Sequence, residues 1–251
     1  YAVALVKAPF AVTREMKIAK KKADDMPKDT LVIKMWGEKD VKTYAPVTGY
    51  KKGSKAQWLA WQWDKEKPVK DTAKKKTAKA PEKVAEKPAE KKETAVADTT
   101  KKKKTVEKKP QGKKLSISYP GVVDSNYTFQ SITEYETNVT GTHFLMVELH
   151  KDSIEHSRVL RFDTRNLKTD TLLSAAGKAT KITLDSLGQA AFLFTEDTAK
   201  IKTYDLYYAS VKDKKAGVLK DAYSHLLTDS TVVVSENAAP YFSADGARLF
   251  F

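Results

Sequence analysis

The 251-residue chain contains no cysteine. That excludes disulfides, thiolate zinc sites and a cysteine nucleophile, though it does not fix the cellular compartment. No apolar run approaches the roughly 20 residues that a membrane-crossing helix needs, so no membrane span is expected. No segment has the build of a signal peptide. The G-x-S-x-G elbow, which exposes a hydrolase serine on a strand-to-helix turn, is absent. Histidine is scarce, with only His143, His150, His156 and His225. None follows a candidate serine elbow, so no triad can be assembled in that order. The sequence therefore offers no catalytic residue, no cofactor-binding residue and no metal ligand set.

Positive charge, by contrast, is plentiful. The formal net charge is +14, a value that by itself points to nucleic acid or an anionic surface. Its location alters that reading. Between Asp64 and Lys114 lie nineteen lysines, nine acidic residues, no arginine and no aromatic residue, so this segment carries ten of the fourteen net charges. Such a composition cannot bury enough apolar surface to offset the entropy of ordering. Pro68, Pro81, Pro88 and Pro110 also argue against one continuous helix. Residues 64–114 are thus expected to be a disordered Lys/Glu/Ala/Pro insert. Its lysine runs, 74–76 and 101–104, lack the arginines and interleaved aromatics of a nucleic-acid site, so no nucleic-acid partner is expected. As a loop between neighbouring strands, an insert of this size adds only about 2 kcal/mol of closure entropy.

Elsewhere the chain alternates apolar and polar residues in short runs, the pattern of half-buried strands. Strands are expected at 1–6, 31–36, 41–45, 57–63, 114–119, 127–130, 143–149, 158–163, 170–174, 179–184, 190–195, 203–209, 231–234 and 247–251. Residues 13–28 form a polar excursion with room for one or two helical turns. Residues 218–227 are the best remaining helix candidate.

Three segments align on a glycine followed by an apolar run: NVTGTHFLMV (138–147), DSLGQAAFLF (185–194) and SADGARLFF (243–251). GSKAQWLAW (53–61) is a fainter copy. A glycine supplies the left-handed conformation of a tight turn. The continuous apolar run after it implies a strand covered on both faces. Leu145, Phe192, Leu193, Leu249 and Phe250 should therefore lie in buried central strands of successive sheets. A repeat near 40–50 residues suits one four-stranded propeller blade. The expected fold class is all-β: a partial β-propeller of about four antiparallel blades, with the Lys-rich insert between strands. The domain division expected is 1–63, blades; 64–114, insert; and 115–251, further blades.

Other residues invite a functional reading and receive a bland one. His150 and His156, with Glu148, Asp152 and Glu155, have ligand chemistry but read as a solvated hairpin. His143 reads as a turn residue opening a buried strand. Trp58, Trp61 and Trp63 do not share one alternation, and with Trp36 they read as blade packing.

The segment VTREMKIAKKKADDMPKDTLVI (12–33), then QWLAWQWD (57–64) and the insert, resembles the N-terminal propeller of bacterial serine peptidases of the prolyl oligopeptidase family. PYFSADGARLFF (240–251) resembles a blade signature shared by that family and TolB-like propellers. The resemblance implies a propeller that gates peptide access to a C-terminal α/β-hydrolase domain, whose serine, Asp and His lie outside these residues. It implies peptide substrates, a periplasmic or secreted location, and no role for the Asn126 and Asn138 glycosylation patterns. With apolar Tyr1 and Phe251 ends, the chain reads as a fragment. The alternative is a non-enzymatic TolB or WD-repeat propeller that binds protein partners.

Overall fold

The structure is a computed structural model and describes residues 1–22, 25–64, 112–122, 125–151, 155–199, 202–220, 234 and 237–251. These belong to one compact unit. The expectation of disorder for the insert falls, apart from Asp64 and 112–114, outside the described residues. So do His225 and most of the 218–227 helix candidate.

The described chain is mostly antiparallel β with one short helix. In order come β1 (Ala2–Val6), α1 (Phe10–Ile18), β2 (Asp29–Lys34), β3 (Val41–Lys51), β4 (Leu59–Trp63), β5 (Lys113–Ser118), β6 (Asn126–Thr137) and β7 (His143–Lys151). Then follow β8 (Glu155–Asp163), β9 (Lys168–Ala176), β10 (Lys178–Leu184), β11 (Ala190–Thr195), β12 (Asp205–Ala209), β13 (Gly217–Lys220), β14 (Tyr241–Phe242) and β15 (Leu249–Phe250). Each strand pairs with its sequence neighbour: β1 to β9 form one ladder, β10 to β13 a second and β14–β15 a third. Residues 218–220, the start of the helix candidate above, instead belong to β13, which pairs with β12. Val218 favours strand, and pairing with β12 overrides the helix preference of Leu219. Lys113 and Lys114, assigned to the insert, begin β5.

The nine-stranded ladder is not flat. Trp58, which leads into β4, lies 6.3 Å from Phe162 of β8 by ring centroids. Four strand spacings in a flat sheet would separate them by roughly 19 Å. The fold occurs within β6. Its first half pairs with β5 and its second half with β7. Tyr127 near its start and the turn after Thr137 lie at the same end of the molecule, so β6 reverses at Ser131, which has φ 56°. The ladder shifts register on both sides of this point, as bulges do where a strand bends. β3 reverses likewise near Val47, where register shifts again; Tyr1 before β1 thereby reaches the Gln57 carbonyl at 3.0 Å. Gly177 makes the next corner, between β9 and β10.

The result is a stack of layers: β1–β2 with the first half of β3; β3–β4–β5–β6; β6–β7–β8–β9; β10–β11–β12–β13; and β14–β15. Separate cores fill the gaps. Leu31 and Ile33 of β2 pack on Leu59 and Trp61 of β4. Ala60, Leu115 and Ile117 pack on Phe144, Met146 and Phe162. Leu145, Val147 and Val159 pack on Ala190, Phe192 and Phe194. Ala191 and Leu193 pack with Leu206 against Phe242 and Leu249. Strands β4, β7 and β11 thus send alternate side chains into two different cores, because successive residues of a strand point to opposite faces.

The glycine alignment has its expected basis at three positions. Gly141, Gly188 and Gly246 all adopt positive φ. Gly53 differs: its importance is close approach, since a Cβ there would come within 2.3 Å of the Asn138 carbonyl oxygen. Leu145, Phe192 and Leu193 are buried as expected. Phe250 is not, being 41% exposed, and Leu249 is only half-buried. Among the described residues β14–β15 has a neighbouring layer on one face only.

Phe192→Ala should therefore cost about 3–5 kcal/mol, the range for a fully buried phenylalanine. Phe250→Ala, which loses only its stacking on Tyr241, should cost about 1 kcal/mol or less. Denaturant melts of the two variants measure both, and equal losses would contradict the layered packing.

Candidate functional site at the turn end

The corners and hairpins sort the loops onto two ends of the stack. The tight turns 52–58, 138–142, 164–167, 185–189, 210–216 and 243–248 share one end. A chain of hydrogen bonds runs through them from layer to layer. The Tyr1 hydroxyl donates to the Gln57 carbonyl. The Lys55 amide donates to Val139 at 3.0 Å. Asn138 Nδ2 donates to the Ser186 carbonyl at 3.1 Å, and Gln189 Nε2 to that of Gly246 at 3.1 Å. Burial pushes the Tyr1 phenol up to about 12, with Tyr119 adding to the rise, so it stays a donor. Asn138 is itself buried and engaged, so its acceptor pattern is a structural one.

Asp185 organises one of these turns. Its Oδ1 accepts from the amides of Leu187, Gly188 and Gln189 at 2.9, 2.6 and 2.6 Å. Gln189 accepts in turn from Tyr208, whose phenol is raised by burial and then by Asp185 and Asp213. Arg161 stands beneath, 3% exposed. It donates to the carbonyls of Gly188 at 3.2 Å, Ser210 at 2.8 Å, Val211 at 3.1 Å and Asp213. A buried guanidinium is tolerable only when its donors are satisfied. Here β8 uses that requirement to pin two turns of the next layer.

His143 is the group with the most chemical promise, being 2% exposed beside Thr142 and Asp163. Its Nδ1 lies 3.1 Å from the Thr142 hydroxyl, and its Nε2 is 3.7 Å from Asp163. The order suggests a triad, but the protons do not fit one. Arg165 Nη2 is nearer to Nε2, at 3.2 Å, and can only donate. Nε2 is therefore an acceptor, Nδ1 carries the proton, and no base faces the hydroxyl. Burial lowers the His143 pKa; Asp163 opposes this, while Arg165 and Arg161 reinforce it. Burial alone would raise Asp163, yet hydrogen bonds from the Arg165 side chain and amide hold it below the usual range. The arrangement fixes a turn and offers no reacting atom to a substrate. Sequence reasoning took His143 for a turn residue and missed this role, which is set by the glycine contact of the next layer: a Cβ on Gly188 would come within 2.4 Å of the ring.

His150 and His156 face each other across β7–β8, with rings 6.4 Å apart. Glu148 lies 3.2 Å from His150 but is also engaged by Arg158 at 3.0 Å. Among the described residues no group of three or more His, Asp or Glu side chains is placed to hold a metal ion. Trp58 packs against Tyr119, Tyr127 and Phe162. Trp61 is buried, and Trp63 donates to Ser116 at 2.8 Å. Trp36 departs from the packing expectation: it sits in the β2–β3 turn, 76% exposed. A small groove of about 160 Å³ lies between Gln189, Tyr208 and the 246–249 turn, below the roughly 300 Å³ typical of small-molecule sites.

No protein-family model matches the chain, and no curated protein matches it. Among solved structures it is similar to the β-propeller domain of the Trilobed protease from Pyrococcus furiosus, described as having an open velcro topology. The identity is 12% and the TM-score 0.43, over 80% of this chain and 52% of that one. The chain thus spans about half the length of that structure. Among the described residues no helix is long and apolar enough to cross a membrane.

The lowered His143 pKa has a pH signature. The folded state binds fewer protons there than the unfolded state, so the stabilisation is complete above the unfolded value near 6.5 and declines as pH falls below it. Asp163 loses its contribution only at lower pH, as pH falls through its depressed value. The stability slope between about pH 7 and pH 5 should therefore be shallower in His143→Gln than in the parent. An unchanged slope in chemical-denaturation series would contradict the neutral, acceptor role.

Proposed function

We propose that the layers are consecutive blades of a β-propeller, and that the chain is the propeller region of a prolyl-oligopeptidase-like serine peptidase. The observation that carries the propeller reading is the convergence of the first strands of successive layers. Tyr135 of β6 donates to the Gly49 carbonyl of β3 at 3.4 Å, and Lys51 pairs with Glu136. Thr180 of β10 reaches Glu134 at 3.3 Å. Layers that meet along their first strands and stack through their faces are arranged as blades around an axis. The exposed apolar faces of the outermost layers, Ala2, Ala4 and Val6 at one end and Tyr241 and Phe250 at the other, suit further blades of the same build.

The peptidase part of the reading is supported by the resemblance of residues 12–33, 57–64 and 240–251 to that family. In this role the propeller restricts access of peptides to a hydrolase domain, which supplies the nucleophile, the base and the oxyanion hole. The blades themselves contribute shape and filtering. The test is hydrolysis of a proline-containing chromogenic peptide, with and without a serine-directed phosphonate. The 251-residue chain should show only background, while a protein carrying these blades with a hydrolase domain should show phosphonate-sensitive turnover. Such turnover by the chain alone would overturn the reading, and its absence from the larger protein would favour a protein-binding propeller.

A further inference from the structure

The end opposite the tight turns carries the excursions of the chain. The 7–28 segment leaves β1 and enters β2 there, and the Lys-rich segment leaves β4 and enters β5 beside it. Their roots are tied together: Asp64 pairs with Lys28 at 2.9 Å and with Lys113 at 3.1 Å. From this end α1 projects with no buried residue. Its residues divide by face. Val12, Thr13 and Met16 lie on one side, with Thr13 and Met16 half-buried. Phe10, Arg14, Lys17 and Ile18, spaced i, i+4, i+7 and i+8, share the other. Phe10 is 78% exposed and Ile18 70% exposed; they stand about 12 Å apart along the axis with the two cations between them. Exposed Lys20, Lys21 and Lys22 follow directly, and Lys7 precedes. Glu15 points off this face.

We propose that α1 is a peripheral docking element for an anionic lipid surface, with Phe10 and Ile18 entering the interface and Arg14, Lys17 and Lys20–Lys22 contacting phosphate headgroups. Three observations favour lipid over other anionic partners. Among the described residues α1 is the one helix, and it buries none of its own residues against the sheets. Its two most exposed side chains are a phenyl ring and an aliphatic chain, which gain from burial among acyl chains and add nothing to a phosphate backbone. Its cations are mainly lysines, acting as point charges toward a charged plane.

The test is co-sedimentation of the 251-residue chain with vesicles of phosphatidylglycerol and phosphatidylethanolamine, against vesicles of phosphatidylcholine alone. Partitioning should be at least about tenfold stronger on the anionic vesicles and should fall with added salt. Phe10→Ser with Ile18→Ser should weaken it about tenfold. Lys20→Glu, Lys21→Glu and Lys22→Glu together should weaken it about a hundredfold or more. Because α1 has no buried residue, the melts of both variants should match the parent, and the lysine set lies outside the helix should the first variant misbehave. A chain lacking 67–109 should keep its dependence on Phe10 and Ile18. Binding that is indifferent to Phe10 and Ile18, lost entirely with 67–109, equal on both vesicles or absent would overturn the proposal. Capture of an acidic helical peptide without vesicle binding would do the same, in favour of a protein partner.

Discussion

The burial of β4, β7 and β11 on both faces is the constraint on which the rest of the structure depends. A strand whose alternate residues enter two cores couples those cores through its own backbone. Phe144 and Met146 cannot shift toward β4 without pulling Leu145 and Val147 away from β11. The layers are therefore not independent sheets that happen to touch. Each central strand belongs energetically to the layer before and the layer after, which is the nearest-neighbour logic of repeat architectures.

Two sets of polar contacts make that stacking directional. At the turn end, hydrogen bonds from Tyr1, Lys55, Asn138 and Gln189 cross from one layer to the next. Arg161 fixes the turn at 210–213 from beneath. Apolar faces would slide over one another at little cost, whereas these bonds need particular carbonyls at particular heights. The first strands meet through Tyr135, Lys51 and Glu136, which draws the layers together along one edge. Side chains with catalytic chemistry, His143 above all, are absorbed into this scaffolding.

Much of this was legible in the sequence, and for physical reasons. The glycines at 141, 188 and 246 mark turns because only such residues take positive φ without strain. The unbroken apolar runs after 141 and 188 mark doubly buried strands because no face of them meets water. The corners were not legible. Ser131 is an ordinary polar residue, and nothing in QSITEYET announces that the strand reverses there; the second half of β6 was missed for that reason. Gly53 looked like a fourth turn glycine but is needed for backbone contact with a segment 85 residues away. Phe250 stands at the same offset from its glycine as Phe192 yet is exposed, because burial depends on a neighbour that local pattern does not report. Arg161, in the strand expected at 158–163, is buried because carbonyls from another layer converge on it.

The folding of the nine-stranded ladder into stacked layers is the central claim, and the contact between Trp58 and Phe162 tests it most directly. The two residues belong to the second and third layers and touch only if β6 doubles back. A double-mutant cycle with Trp58→Ala and Phe162→Ala, read by denaturant unfolding, should give a coupling energy of about 0.5–1.5 kcal/mol. Strict additivity of the two substitutions, as for residues four strands apart in a flat sheet, would contradict the account.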